Sequence, residues 1–379
     1  MFGNTTGMSP WRNRQSIDRR LAVPHHTTLR SRPTTQTSRT MTHGVFGLLL
    51  AANILLPALP TASNAQSPPA PHQSHDATPA QALANRALLV AARTGRGDLV
   101  EFAIDNGADP NAQDKAGLSA LMLAASAAHL SSVQALLAAG VKVAAKQQRT
   151  GNTALMVAAS TLTGYDIVVE LIGAGASVTQ TANNGYDALM AAATHCRQRT
   201  LELLLLNGAN AASSTTTGRT ALSLAAVDGT PACIKRLLAA GADPNARNDD
   251  TGSILVDAIT AGHARAVASL LIGGADANGF GRGTQTPLML AVRSADLTLI
   301  AMLLEAQANA NALERGTGNT ALMLAANLGH AGIVEMLLQA GADPSIRAAN
   351  GWSATQAALD IGEITLAQRL EASGAGKVR

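Results

Sequence analysis

One apolar position returns along most of this chain at a nearly fixed interval. It is Leu88, Leu121, Leu155, Leu189, Leu222, Leu255, Leu288 and Leu322, ending at Thr355, with steps of 33 or 34 residues. Around it the pattern is helical. Thr153-Ala154-Leu155-Met156-Val157-Ala158-Ala159 and Thr320-Ala321-Leu322-Met323-Leu324-Ala325-Ala326 are near copies, and their Leu-x-x-Ala spacing puts one apolar stripe on a helix. A second apolar run follows a short turn, as Ile333, Val334, Leu337 and Leu338. Its spacing predicts a second helix. Self-similarity at this period predicts a stack of two-helix units, nine in number.

The polar positions punctuate the same period. Ser119, Thr153, Asp187, Thr220, Ser253, Thr286, Thr320 and Ser353 precede the first helix of their units. These are N-capping types, whose side-chain oxygen takes an orphan first-turn N–H at about 1 kcal/mol each. Gly107, Gly140, Gly175, Gly208, Gly241, Gly274, Gly341 and Gly374 are expected to close the second helices, and Gln307 stands there in unit seven. Ala-Asp-Pro-Asn follows at 108–111 and 242–245, then a polar turn with its own glycine, as at Gly117, Gly151 and Gly218.

On these recurring residues, 84–376 resembles the ankyrin repeat family. The resemblance implies an all-α solenoid of about nine helix–turn–helix units joined by β-hairpin-like loops. At roughly 8–10 Å per stacked helix the body would be about 80 Å long. The chain departs from the family's Thr-Pro-Leu-His motif, placing Met122, Met156, Met190, Met289 and Met323 where the histidine would stand. A less rigid loop network is expected, with flexible Met filling the space. Unit one has Arg86 in place of a capping residue and unit nine has Thr355 in place of Leu. Both units are expected to be terminal caps with a polar outer face.

Composition agrees with thin stacked helices. The chain is 47% hydrophobic but only 2% aromatic, so Ala and Leu rather than rings must fill the core. Charge separates the N-terminus from the rest. The formal net charge is +3, yet residues 1–65 hold seven Arg and one acid (+6), and residues 66–379 hold 21 bases and 24 acids (−3). Gly44–Leu59 is apolar and uncharged, short of the roughly 20 residues of a spanning helix, and small residues at Ser63 and Ala65 fit a signal-peptidase site. Residues 1–65 are therefore expected to be an export signal with a long basic leader, cleaved after Ala65, with Met41 a possible true start. An uncleaved membrane anchor is the alternative. Residues 66–83 are expected to be a Pro-rich spacer without fold, and 377–379 a short tail. The expected location is the periplasm, or outside the cell if secreted, with no stable membrane insertion after cleavage.

No catalytic constellation emerges. His129, His263 and His330 share one repeat position in units two, six and eight, too far apart for one metal. Gly279-Phe280-Gly281-Arg282-Gly283 lacks the strand–loop–helix setting of a phosphate loop. No enzyme activity, cofactor or metal is expected. Cys233 aligns with the apolar Ile333, whereas Cys196 aligns with Gly329 in an inter-helix turn. Their different repeat positions argue against pairing, although export to an oxidising compartment would permit a cross-repeat disulfide.

The family resemblance implies a protein partner that meets the hairpin tips and the exposed face of the first helices. The residues so placed are Lys115, Leu118, Arg149, Asn152, Tyr186, Arg219, Asp249, Asp250, Arg282 and Asn319. Tyr186 and Arg219 sit on adjacent units and are hot-spot types, which singles them out. Trp352 is expected to pack on the end cap instead. The tips mix signs and form no basic stripe, which argues against nucleic acid. The expected protein is a monomeric interaction module, with a secreted effector that engages host proteins as the alternative.

Overall fold

The computed structural model describes residues 78–375. The expected export signal, its cleavage point, residues 66–77 of the spacer and the tail lie outside them. The described residues form eighteen helices in nine pairs. Units one to three are α1 (Pro79–Thr94) with α2 (Gly97–Asp105), α3 (Ala120–Ser126) with α4 (Leu130–Ala138), and α5 (Ala154–Ser160) with α6 (Tyr165–Gly173). Units four to six are α7 (Ala188–Thr194) with α8 (Gln198–Leu206), α9 (Ala221–Asp228) with α10 (Pro231–Ala239), and α11 (Ile254–Thr260) with α12 (Ala264–Ile272). Units seven to nine are α13 (Pro287–Arg293) with α14 (Leu297–Glu305), α15 (Ala321–Asn327) with α16 (Ala331–Gln339), and α17 (Ala354–Asp360) with α18 (Ile364–Ala375).

The recurring Leu is buried in all eight units that have it, and with its Ala and Met neighbours it builds one continuous core from Leu88 to Leu370. The caps work as their chemistry demands. The Ser119 and Thr153 hydroxyls accept the N–H of Met122 and Met156 at 3.2 and 3.3 Å, and the Asp187 carboxylate accepts that of Met190 at 2.8 Å. Ser253 is an exception and makes no side-chain cap bond. Unit one is capped by Thr78, so α1 begins at Pro79, inside the segment expected to lack fold, and a longer helix replaces the missing cap at Arg86. Gly374 does not close its helix, because α18 runs through it to Ala375. Gln307 keeps the left-handed conformation of the glycine it replaces, at φ +63, an uncommon state for a residue with a Cβ.

Successive tips are laced by backbone bonds. The N–H groups of Asn183, Thr216, Asp249, Arg315 and Ala349 each donate to a carbonyl one tip back, at 2.8–3.0 Å, and Arg282 does the same to Thr251. Isolated antiparallel bridges at Gln113–Ser119, Ser214–Thr220 and Arg347–Ser353 mark the hairpin-like loops. This close stacking explains two glycines. A Cβ on Gly218, at φ +75, would lie 2.6 Å from the Arg247 carbonyl, and one on Gly281 would lie 2.5 Å from that of Thr251. The Gly281 stretch is thus a tip under steric demand. A ladder of Asn side chains adds to the lacing: Asn245, Asn278 and Asn311 each accept a backbone N–H of the next unit at 2.6–2.8 Å. The loops are held by these links in place of the absent histidines.

The cysteines are paired, contrary to the expectation. Cys196 and Cys233 form a disulfide with Cα atoms 5.7 Å apart. Their repeat positions differ, but stacking sets the inter-helix turn of one unit beside the start of the second helix of the next. Cys196 occupies that turn in the left-handed conformation used by Gly95, Gly229 and Gly329 at the same position in their units. Cys233 is fully buried, as expected of its place.

The disulfide closes a separation of 37 residues, a span for which about 2–4 kcal/mol of stabilisation is typical. Reduction, or the pair Cys196→Ser and Cys233→Ser, should lower the thermal midpoint by several degrees. Two thiols that titrate before reduction would contradict the pairing. Asp187 is the one acid among the caps of the first helices, and burial pushes its pKa up against the hydrogen bonds from Met190, Ser213 and Leu189. Its protonated form is thus favoured by folding. That contribution is complete below the unfolded pKa of about 3.9 and is lost as pH rises through the higher folded value. Asp187→Asn keeps an equally good cap without the buried charge. Relative to wild type, its urea midpoint should improve from pH 4 to pH 7, and a relative loss over that range would reject the assignment.

Candidate interaction surface

The tips and the solvent side of the first helices form shallow grooves, and the predicted residues distribute unevenly among them. Tyr186 and Arg219 line one recess of about 260 Å³ with Asn184, Thr215, Thr216, Thr217 and Leu224. Tyr186 follows the tip glycine Gly185 and turns its ring onto α7. Its hydroxyl lies 2.8 Å from the Thr194 hydroxyl, which itself donates to the Met190 carbonyl at 2.9 Å, so the phenol is the donor. Burial pushes the Tyr186 pKa up and keeps it neutral. The side chain is half-buried, so it forms a wall of the recess as well as a contact.

Arg219 is already engaged. Its Nε donates to the Asp250 carboxylate at 2.6 Å, with side chains 37% and 50% exposed. Such an exposed pair adds at most about 1 kcal/mol to stability, but it fixes where the guanidinium points. Asp250 is held in turn by Asn248, whose Oδ1 accepts the N–H groups of Asp250 and Thr251, both at 2.9 Å. Asn248 also donates to Asp257 at 2.9 Å, and Thr251 donates to the other Asp257 oxygen at 2.5 Å. Asp257 is buried on α11, where Leu224, Leu290 and Leu324 stand in other units. Burial pushes its pKa up, and the hydrogen bonds from Thr251 and Asn248 oppose the shift. An acid in an otherwise apolar helix column is the sequence signal for this network.

The network continues along the stack. Asp249 donates its N–H to Thr217, and Arg282 binds the Asp249 carbonyl. Asp250 and Arg282 line a second groove of about 370 Å³ with Thr260, Arg293 and Glu314 among others. Burial alone would raise the Glu314 pKa, but hydrogen bonds from Thr317, Thr284, Asn319 and Gln285 hold it low. Asn319 lines a third groove of about 650 Å³ with Thr317, Trp352 and Asp360. Trp352 packs against the core of the last unit and donates its indole N–H to Asp360 at 2.8 Å.

The structure brings Tyr186, Arg219, Asp249, Asp250 and Arg282 into one linked stretch. Lys115, Leu118, Arg149 and Asn152 stand apart from it. Lys115 and Arg149 are exposed at their tips, Leu118 is half-buried against the core, and Asn152 spends its carbonyl on the Gln147 N–H at 2.9 Å. Among the described residues no three His, Cys, Asp or Glu side chains are grouped to hold a metal ion, and no helix is long and apolar enough to cross a membrane.

A family model described as ankyrin repeats (3 copies) matches residues 88–182, 159–248 and 255–348. The matches span most of the described solenoid, and their repeat is the one built above from Leu, capping residue and tip glycine. Repeats of this kind indicate a protein–protein interaction module and are generally scaffolds without catalysis. The chain belongs to the ankyrin repeat family.

Proposed function

We propose that this chain is an exported, non-enzymatic module that binds a partner protein along the linked tips of units four to seven. The observation that carries the reading is the recess shared by Tyr186 and Arg219, which joins an aromatic wall to an oriented guanidinium. A half-buried ring loses little freedom when a partner covers it, and an arginine pinned by Asp250 is preorganised in the same sense. The flanking hydroxyls of Thr215, Thr216 and Thr217 are suited to hydrogen bonds with a partner's backbone. The recesses are shallow and open, which suits a protein surface better than an enclosed small ligand.

The disulfide supports export, because such bonds persist in oxidising compartments such as the periplasm or the cell exterior. On this reading residues 1–65 are the delivery segment, and the basic leader contributes nothing to recognition.

Crosslinking and pull-down from the native compartment would identify the partner. Arg219→Glu, which also repels Asp250, should then weaken the complex about tenfold or more. Tyr186→Phe should weaken it less, since the ring wall remains. Neither change should move the thermal midpoint by more than a degree or two, and unchanged affinity in both would reject this face. N-terminal sequencing of the accumulated protein should begin at Gln66. Recovery of the intact leader would instead favour the anchored form.

A further inference from the structure

Trp352 is the one tryptophan among the described residues, and its surroundings differ from those of the other tip aromatic. In three units the residue before the N-cap is tied to a side chain eight positions on, at the end of the first helix: Tyr186 to Thr194, Gln285 to Arg293 and Trp352 to Asp360. The bond at Trp352 fixes the indole edge beside a carboxylate. The half-buried ring lines the groove of about 650 Å³ with Thr317, Asn319, Asn350 and Asp360. The charges at this groove have one sign. Asp360 is exposed, and its other oxygen accepts from Gln356 at 2.8 Å. The hydrogen bonds from Gln356 and Trp352 hold its pKa below the ordinary value, so it is ionised at neutral pH. Glu314 stands directly behind, taking bonds from Thr317 at 2.5 Å and Asn319 at 3.2 Å. No lysine or arginine lines the groove. Arg315 lies over the Phe280 ring at 4.2 Å, and Arg347 donates to the Gly351 carbonyl at 3.1 Å. Arg199 likewise sits over the Tyr165 ring at 4.0 Å. An indole offers a stronger face for a cation than either ring, yet no cation of the described residues lies on Trp352.

We propose that this groove takes an arginine side chain of a partner protein, stacked on the Trp352 indole with its guanidinium directed to Asp360. The indole edge and the carboxylate are 2.8 Å apart, so one planar cation can meet both. Arginine fits better than lysine, because a guanidinium stacks flat, is weakly hydrated and bonds a carboxylate through a fork. A sugar ring can also stack on an indole, but the uncompensated negative charge favours a cation. The site is separate from the Tyr186 recess, where Arg219 would repel the same group. The two lie in units four and nine, about 40–50 Å apart at the usual spacing of stacked helices. They would therefore read different parts of a partner.

A capped di-arginine peptide tests this without the partner, and so independently of the Tyr186 face. The full chain holds two tryptophans, so Trp11→Phe leaves Trp352 as the only indole. Titration of the peptide into that chain should change the indole emission and saturate, with a midpoint of about 1 mM. Asp360→Asn should weaken binding by about tenfold or more, with an unchanged thermal midpoint because Asp360 is exposed. Glu101→Gln, which removes an equal charge from the far end of the stack, should leave binding as it was. A capped di-lysine peptide should bind about threefold more weakly or worse. No change in emission up to about 10 mM peptide overturns the proposal. So does an equal loss in Glu101→Gln, equal binding of the lysine peptide, or an emission change produced by N-acetylated chitotriose in place of the arginine peptide.

Discussion

Every part of the described solenoid depends on the contact between neighbouring repeats. A single helix pair here is too thin to bury its own apolar surface, so each unit borrows its core from the next. Leu at the recurring position fills the space between the paired helices, and small Ala residues let the next pair approach. The aromatic poverty follows from this arrangement, since a ring would hold adjacent helices apart. The cost of the arrangement falls on the ends, where half of each contact is missing. Both end units leave apolar side chains bare, Leu83, Val90, Leu99 and Phe102 in the first and Leu359, Ile361 and Ile364 in the last.

The stacking was legible in the sequence because it is periodic. A Leu every 33 or 34 residues, a capping oxygen before it and a tip glycine leave a signal that no single repeat could carry. What escaped was aperiodic or depended on register between units. The disulfide needed the knowledge that a turn lies beside the next unit's second helix, which intra-unit numbering hides. The early start of α1 lay in a Thr-Pro pair that resembled the end of the Pro-rich segment. Ser253 has the composition of a cap but not the bond. The Asp257 network required reading one column of the repeat across units, where its acid is the exception.

The candidate surface shows the same division. Tyr186, Arg219, Asp249, Asp250 and Arg282 could be assigned to tips from sequence, and the structure joins them. Their linkage through Asn248, Thr251 and Asp257 lies beneath the surface and gives the tip its shape. The backbone bonds from tip to tip make the frame independent of side-chain identity, so the exposed side chains are free to differ from unit to unit. Recognition and stability are thereby carried by different atoms of the same loops.

The disulfide has one further consequence, for a solenoid pulled from its ends. Repeats in such an array can peel away one after another, each releasing its slack chain. The segment between Cys196 and Cys233 cannot do so, because a separation of 37 residues is short-circuited by the bond. At about 3.3–3.6 Å per extended residue, about 125 Å of contour length is withheld. The stack therefore has an inextensible knot near its middle, flanked by units that can still yield.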